Sequence, residues 1–177
     1  MAKRDDGQNA VKGLIRSTGP APVHLWNPPF CGNIDMRIDR DGGWHYNGSP
    51  ITRLAMVRLF SNVLKREGNA YFLVTPVEKV GIVVEDVPFL LTDMRAGDDG
   101  ITLITHLDEE VPLTALRMQG GVPYAPVRGG MEGRIDRKTF YRLVDLAEEE
   151  DGMLGLRTTT TFIPLCPMAD IEDRRPR

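Results

Sequence analysis

Hydrophobic spacing predicts an amphipathic helix in the first half of the chain. The segment ITRLAMVRLFSNVLKREG places apolar side chains three or four residues apart, which is typical of a helix that buries one face. We predict this helix over residues 53–66, with Thr52 as its N-cap residue and Gly68 as the glycine that follows its C-terminus.

Alternating apolar and polar residues predict strands on both sides of this helix. In NIDMRIDR every second side chain is apolar, which indicates a strand with one buried face, and WHY forms a short second strand between two glycine turns. Further strand-like segments are AYFLVT, GIVVED, a hairpin in PFLLTDMRAGDDGITLITHL, and a final strand in MLGLRTTTTFIPL.

The second half of the chain repeats the pattern of the first. Residues 135–152, IDRKTFYRLVDLAEEEDG, align without a gap to residues 51–68 and predict a helix over residues 137–150 with Asp136 at the capping position. Each helix needs a sheet on which to bury its apolar face. We therefore predict an α+β protein of two small duplicated β-β-α-β-type domains with antiparallel sheets.

This duplication sets the expected domain organisation. Ligands commonly bind where two domains meet, so the interface between the two copies is the expected location of a site. The predicted segments are a polar N-terminal stretch, 1–20, an N-terminal α+β domain, 21–110, its C-terminal duplicate, 111–168, and a polar tail, 169–177.

Composition narrows the classes of function. The chain has 177 residues and a net charge of −3 with both signs interspersed, which argues against binding of duplex nucleic acid. No apolar run is long enough to span a membrane, and the first residues do not form a signal peptide, so we expect a cytoplasmic protein. Cys31 and Cys166 lack the spacing of a zinc site, and no metal or cofactor is expected.

Two segments carry a resemblance to a known family. APVHLWNPP and the following run from CGNIDMRIDR to VEDVPF cover residues 21–89, and a weaker match extends to Pro167. The chain resembles an uncharacterised bacterial domain-of-unknown-function family with a duplicated two-domain core. The resemblance implies a pleckstrin-homology-like C-terminal half and a nucleotide-derived ligand, bound between the halves for signalling. It assigns that ligand to two segments, represented here by Gly48, Ser49, Pro50, Ile51, Arg53, Thr75, Pro76, Glu78 and Lys79.

The residues of GSPITR allow an anion site at the start of the first helix. The hydroxyl groups of Ser49 and Thr52 and the unbonded amides of a first helical turn can donate hydrogen bonds to an anion. Arg53 adds a cation where a helix ordinarily prefers an acid. The structural alternative is that Thr52 caps its own helix and Arg53 pairs with Asp35 or Glu78.

The TPVEK segment allows a similar pair of interpretations. Thr75 ends a strand; beyond it Lys79 could bind a phosphate and Glu78 a ribose or base. As structure alone, Glu78 and Lys79 are an exposed ion pair worth less than about 1 kcal/mol.

The rings of WHY can be core or ligand contacts. On a strand Trp44 and Tyr46 share one face and His45 takes the other. Paired rings can stack on a base, but aromatic side chains in a small sheet more often pack in its core. We expect one ring to be core and the other to rim a pocket, with His45 facing solvent.

These observations favour a binding protein over an enzyme. We expect non-enzymatic binding of an anionic, nucleotide-like small molecule, with a signalling or regulatory role. One alternative is a protein-interaction module, including a homo-oligomer. Another is a hydrolase or transferase that uses either Cys31 as a nucleophile, with His24 or His45 as base, or the acidic pairs Glu85–Asp86 and Asp98–Asp99. The predicted ligand-binding residues are Trp44, Tyr46, Ser49, Thr52, Arg53, Thr75, Glu78 and Lys79.

Overall fold

The computed structural model describes residues 19–172. The chain divides into two compact units between Val87 and Pro88. Most of the predicted polar N-terminal stretch and half of the predicted tail therefore lie outside the described residues. Within the described part of the chain, no helix has the length and apolar character needed to cross a membrane.

Over residues 19–87, the first unit consists of one six-stranded sheet and one α-helix. Strands lie in the order β3-β2-β1-β6-β5-β4, and every neighbouring pair is antiparallel except β1 and β6, which are parallel. A 3-10 turn at Val23–Leu25 precedes the sheet. The elements are β1 Phe30–Ile38, β2 Trp44–Tyr46, β3 Ser49–Pro50, α1 Leu54–Asn62, β4 Leu64–Glu67, β5 Ala70–Val74 and β6 Lys79–Val84.

Alternation along β1 explains how this unit forms its core. Met36 and Ile38 are buried, whereas Asp35 before them is exposed and Arg37 between them is half-buried. Trp44 lies opposite Ile38 on β2 and stacks on Phe60 of α1, with ring centroids 6.2 Å apart and planes 19° apart. The helix therefore packs over the aliphatic face of the sheet.

From Pro88 to the last described residue, Glu172, the second unit has two sheets and two helices. The larger sheet has the order β10-β11-β12-β7-β8-β9, and the smaller has the order β13-β14-β15. In the larger sheet β12 and β7 are parallel. The elements are β7 Phe89–Gly97, β8 Gly100–Thr105, β9 Glu110–Pro112, β10 Arg117–Gln119, β11 Val122–Arg128, β12 Met131–Ile135, α2 Arg137–Val144, β13 Glu148–Glu150, β14 Met153–Arg157, β15 Phe162–Pro167 and α3 Met168–Glu172.

The outer strands of the smaller sheet have a distinctive composition. One outer strand, β13, consists of three glutamates, and the other, β15, contains Pro164 and Pro167. The central strand buries Leu156, which joins Ile163 and Leu143 in the core of the unit. The sheet is thus apolar inside and charged or proline-rich at its margins.

Both units contain the same order of elements, which confirms the predicted duplication and the α+β class. In each, an antiparallel hairpin leads into a short helix, and a three-stranded antiparallel meander follows. Each of the two six-stranded sheets contains one parallel pair, so these sheets are mixed rather than purely antiparallel. Parallel neighbours need a long connection, which β1–β6 and β7–β12 have. The pleckstrin-homology-like character of the second unit stays a prediction.

Both helices end earlier than the sequence predicts. The last residues of each predicted helix form a strand instead, because they pair with the strand that follows. Leu64 pairs with Leu73, and Glu150 pairs with Met153. Gly68 and Gly152, with φ of 61° and 76°, lie in two-residue hairpin turns rather than after helix ends. The segment predicted as one final strand is also a hairpin, formed by β14 and β15.

The predicted caps differ between the copies. Asp136 caps α2 by accepting a hydrogen bond from the backbone amide of Thr139 at 2.7 Å. In the first copy the N-cap residue is Arg53, and its side chain makes no capping hydrogen bond, so the prediction that Thr52 caps this helix is wrong.

The division between the units lies at Val87/Pro88 rather than near residues 110 and 111. The hairpin of β7 and β8, which the sequence places in the first domain, pairs with β12 through β7 and with β9 through β8. Buried Leu91 of β7 belongs to the core that also contains Ile135. This hairpin is therefore part of the second unit.

Candidate functional site

A shallow hollow lies on the sheet of the first unit, on the strands β1, β5 and β6. Its volume is about 290 Å³, near the lower end of the range of roughly 300–1,000 Å³ that ligand sites occupy. It is open to solvent on one side, and its exposed lining is mostly apolar. The lining residues are Phe30, Asn33, Ala70, Tyr71, Phe72, Lys79, Gly81 and Ile82.

Small side chains create the space. In the sheet, Gly81 lies between Phe72 on one neighbouring strand and Asn33 on the other, and a side chain at Gly81 would collide with the Oδ1 atom of Asn33. Ala70 also lines the hollow, and it leaves one side of Phe72 open. A glycine in a strand interior is typical of a place where another group approaches the backbone closely.

The start of β1 departs from regular pairing beside the hollow. The register against β6 shifts between Phe30 and Asn33, and again between Asn33 and Arg37. Gly32 has φ of +101°, a conformation that glycine adopts without strain. Bulges of this kind turn a side chain away from its regular direction. Phe30 is 54% exposed here although it is a large apolar residue at the start of a strand.

Two phenylalanine rings form the aromatic part of the hollow. The rings of Phe30 and Phe72 meet edge to face, with centroids 6.0 Å apart and planes at 87°. The Nζ atom of Lys79 lies 4.9 Å from the centroid of the Phe72 ring. A cation at this distance is attracted to the ring face, so the ring holds the ammonium group at the hollow.

A cluster of three charged side chains extends from the hollow to the outer strand β4. Glu67 accepts hydrogen bonds from Lys79 at 2.9 Å and from Lys65 at 3.1 Å. Lys65 also donates to the backbone oxygen of Trp26 at 3.3 Å. The lysine side chains are only 17% and 21% exposed, which is low for a residue type that is rarely buried.

The hydrogen bonds of this cluster keep its acid ionised. Those from Lys79 and then Lys65 hold the pKa of the Glu67 carboxyl below its usual value of 4.5, and together they outweigh the opposing effect of burial. At neutral pH the cluster therefore carries two positive charges and one negative charge. The excess positive charge lies beside the aromatic surface.

Several groups around the hollow can contact a ligand. The hollow offers ring faces for stacking, an ammonium group for an anion, and the exposed amide of Asn33 for hydrogen bonds. The thiol of Cys31, on the same strand, is exposed and donates to the backbone oxygen of Pro29 at 3.5 Å. Within residues 19–172, no group of three or more His, Cys, Asp or Glu side chains is placed to hold a metal ion.

Of the residues predicted to bind ligand, Lys79 is the one that lines the hollow. Thr75 and Glu78 lie in the adjacent turn between β5 and β6, where the backbone amide of Thr75 donates to the oxygen of Glu78 at 2.9 Å. The hydroxyl of Thr75 also accepts from the amide of Glu78 at 3.2 Å. Thr75 thus has a structural role in closing the turn.

The GSPITR residues lie elsewhere on the first unit. Ser49 pairs with Tyr46, which pairs with Met36, and strand β3 is three strands away from β6. These pairings place Ser49 about 14 Å from Lys79 across the sheet and about 20 Å along it. Thr52 and Arg53 follow β3, so the two predicted segments do not converge on one surface of this unit.

The two predicted aromatic residues differ in burial. Trp44 is 2% exposed and belongs to the core beneath α1, whereas Tyr46 is 47% exposed at the end of the hairpin. His45 does not simply face solvent: its Nε2 atom lies 2.7 Å from Oδ2 of Asp39 and is partly buried. A ligand-binding role for Tyr46 stays a prediction, as does the expected location between the two domains.

Sequence reasoning missed Phe30, Phe72, Lys65 and Glu67. The sequence places Phe72 in a predicted strand and Lys65 in a predicted helix, and it gives no reason to bring the two together. The signal that could have found them is the pair KREG-NAYF, which reads as a tight hairpin once Gly68 is taken as a turn residue. That hairpin brings Lys65 opposite Phe72.

Comparison with solved structures gives two matches. A DUF1285 family protein from Silicibacter pomeroyi DSS-3 is 47% identical with a TM-score of 0.81, and the match covers 96% of this chain and all of that one. A DUF1285 family protein from Shewanella baltica OS155 is 28% identical with a TM-score of 0.56, over 62% of this chain and 90% of that one. No curated protein is significantly similar.

Family models match the chain in two adjacent parts. The N-terminal domain of DUF1285, a domain of unknown function, matches residues 21–87, and the C-terminal domain of the same family matches residues 88–165. The two models meet where the compact units divide. The chain therefore belongs to the DUF1285 family, a bacterial family of two-domain proteins of unknown function, as its resemblance to such a family had indicated.

Proposed function

We propose that this protein binds a small anionic, ring-bearing molecule in the hollow of its first unit, without converting it. The observation that carries the proposal is that the exposed Phe30, the half-buried Phe72 and a mostly buried lysine occur in one concave surface. Ligand sites typically combine an apolar lining with a few polar groups that fix orientation. The role of such binding in this proposal is regulatory or signalling.

The aromatic surface supports a planar ligand. A ring stacked on an aromatic side chain contributes roughly 1–3 kcal/mol in complexes with nucleic-acid bases. Phe72 has room on the side of Ala70, whose side chain is small. Nucleotides combine such a ring with an anionic phosphate, so they are the first compounds to test for binding.

The charges support an anionic ligand. Lys79 is the charged residue among those that line the hollow. Glu67 bridges it to a second lysine, Lys65. Hydrogen bonds to charged groups contribute about 1.5–3 kcal/mol each, and removal of the lysine should therefore weaken binding by about tenfold to a hundredfold.

Titration of ¹⁵N-labelled protein with AMP and GMP, monitored by NMR, tests the proposal. We expect shifts of the backbone amides of Phe30, Phe72 and Gly81 at ligand concentrations where the rest of the spectrum is unchanged. Adenosine, which has the ring and lacks the phosphate, should bind at least tenfold more weakly than AMP. Lys79→Gln should remove this difference, and Phe72→Leu should weaken both compounds.

Lys138→Gln provides the matched control, because it removes the same charge from an exposed side chain on α2 of the second unit. It should leave both affinities within twofold of the wild type. The proposal is wrong if saturating AMP and GMP leave the amides of the hollow unmoved, or if Lys138→Gln weakens binding as much as Lys79→Gln does.

Protein binding is a second candidate function, favoured by apolar side chains on α2 and just beyond it. Tyr141 is 59% exposed, Val144 37% and Leu146 45%. Contiguous exposed apolar surface is typical of an interaction site. If this surface binds a second copy of the chain, sedimentation velocity should show a dimer that Tyr141→Ser combined with Leu146→Ser converts to monomer. A wild type that remains monomeric at high concentration would exclude that form of the interaction.

A further inference from the structure

Glu67 occupies a position where one anion contacts two cations. Its Oε1 atom lies 3.1 Å from Nζ of Lys65, and its Oε2 atom lies 2.9 Å from Nζ of Lys79. The two ammonium groups therefore converge on one carboxylate. A different anion at the same point would contact both lysines.

The same lysine that holds Glu67 also belongs to the hollow. Nζ of Lys79 lies 4.9 Å from the Phe72 ring centroid, so a ring beside Phe72 would have its substituent close to the position of the carboxylate. Glu67 lies on the outer strand β4, opposite Ala70, with 36% of its side chain exposed. Its side chain can therefore rotate towards solvent when another anion arrives.

Displacement of Glu67 demands more of a ligand than simple attraction to a lysine. Glu67 is part of the same chain, and a tethered group competes at a high effective concentration. A ligand carboxylate would offer the lysines only what Glu67 already provides. A phosphomonoester carries a charge of roughly −1.5 to −2 at pH 7 and three acceptor oxygens, so it can bond both lysines more strongly.

We infer that Glu67 is an internal competitor for the anion position of the hollow, and that its presence restricts the ligands to phosphomonoesters of ring compounds. The inference rests on the proposed function and extends it. Glu67 holds the two lysines when the hollow is empty, and it is displaced from them when a phosphate binds. Aromatic carboxylates do not bind strongly enough to displace Glu67 from the two lysines.

Three small probes with one ring test this competition: phenyl phosphate, benzoate and phenol. Their affinities for the hollow are measured by NMR titration of the wild type and of Glu67→Gln. In the wild type, phenyl phosphate should bind at least tenfold more tightly than benzoate. In Glu67→Gln, both anions should bind at least tenfold more tightly than in the wild type, and phenol should be unchanged.

Asp35→Asn is the matched control, since it removes one negative charge from an exposed residue of β1 in the same unit. It should change the affinity of phenyl phosphate by less than twofold. Glu67→Asp keeps the charge on a shorter side chain and should give an intermediate gain. This second variant keeps the test decisive if Glu67→Gln is poorly folded.

The outcomes separate the inference from the proposed function. If no probe shifts the amides of the hollow in any variant, the binding proposal and the inference fail together. If phenyl phosphate binds there but Glu67→Gln leaves its affinity unchanged or weakens it, Glu67 positions the lysines rather than competing for them, and the inference alone is overturned. Equal wild-type affinities for benzoate and phenyl phosphate would also overturn it.

Discussion

Thr139 places a hydroxyl group in the core of the second unit. Its side chain is completely buried, and among the described residues its Oγ1 atom has no hydrogen-bond partner. Its backbone amide, in contrast, is bonded to the cap of α2. A buried polar atom without a partner lowers stability, since it has lost its bonds to water and gained none in exchange.

We expect Thr139→Val to raise the free energy of unfolding by about 1 kcal/mol, because valine has nearly the same shape and no hydroxyl. Urea denaturation of the two proteins measures the change. Thr139→Ser, which keeps the hydroxyl and removes the methyl group, should lower stability instead. A valine variant less stable than the wild type would show that the hydroxyl is bonded.

Asp39 predicts a dependence of stability on pH. Burial alone would raise the pKa of its carboxyl, but the hydrogen bonds from His45 and from the amides of Gly43 and Asp41 lower it below the usual 3.8. The ionised form therefore stabilises the fold above pH 3.8, and this contribution is lost as the pH falls through the lower folded pKa.

Asp39→Asn should therefore lower the free energy of unfolding at pH 7, and the difference from wild type should shrink below pH 3.8. Urea denaturation at pH 7, 4 and 3 measures this difference. The control is Asp35→Asn, whose effect should not vary with pH in this way. A constant deficit for Asp39→Asn at every pH would contradict the assignment.

Single residues also show how far sequence reasoning extends. Alternation placed Trp44 and Tyr46 on one face, and the expectation that one ring would be core agrees with the burial of Trp44. Which of the two is buried depends on Phe60, since the helix lies over the first ring and leaves the second exposed. That contact joins residues sixteen positions apart, and local pattern does not contain it.

At the level of elements, the two helices differ in how they begin. Asp136 accepts from the Thr139 amide at the start of α2, whereas no side chain caps α1 at its N-cap residue, Arg53. The local pattern gave both helices and one of the two caps correctly. It missed the ends, because a tertiary strand pairing outweighs the weak preference of residues such as those in LKRE for helix.

Asp136→Ala should lower the free energy of unfolding by about 1 kcal/mol, the usual effect of removing an N-cap side chain. Thr52→Ala, the equivalent change in the other copy, should alter it by less than about 0.5 kcal/mol, because this residue makes no cap. Thermal and urea denaturation of both variants test the contrast. Equal losses at the two positions would indicate that Thr52 stabilises α1 by another route.

For the whole molecule, the main difference between prediction and structure is the division between the units. Duplication, fold class and family were evident from the sequence, because they depend on repeated local patterns. The membership of the β7–β8 hairpin was not, because β7 pairs with β12, which follows more than thirty residues later. The hollow could not be predicted from the sequence for the same reason, because its lining residues come from β1, β5 and β6, and β1 is far from the other two in sequence.

A split of the chain after Val87 should yield two fragments that each fold, whereas a split after residue 110 should not. The second split separates the completely buried Leu91 from Ile135 and Leu143, which belong to the same core. Dispersed amide NMR spectra for residues 1–87 and 88–177, and aggregation of one or both fragments from the other split, are the expected results. Folded fragments from both splits would show that β7 and β8 do not need β12.

The composition of the smaller sheet in the second unit has a consequence for solubility at high concentration. Templated growth of a sheet requires an outer strand with free amides and no repulsion between copies. Proline has no amide to offer at Pro164 and Pro167, and three adjacent glutamates on β13 repel an identical strand. Both margins of this sheet therefore disfavour the addition of a further strand from another copy of the chain.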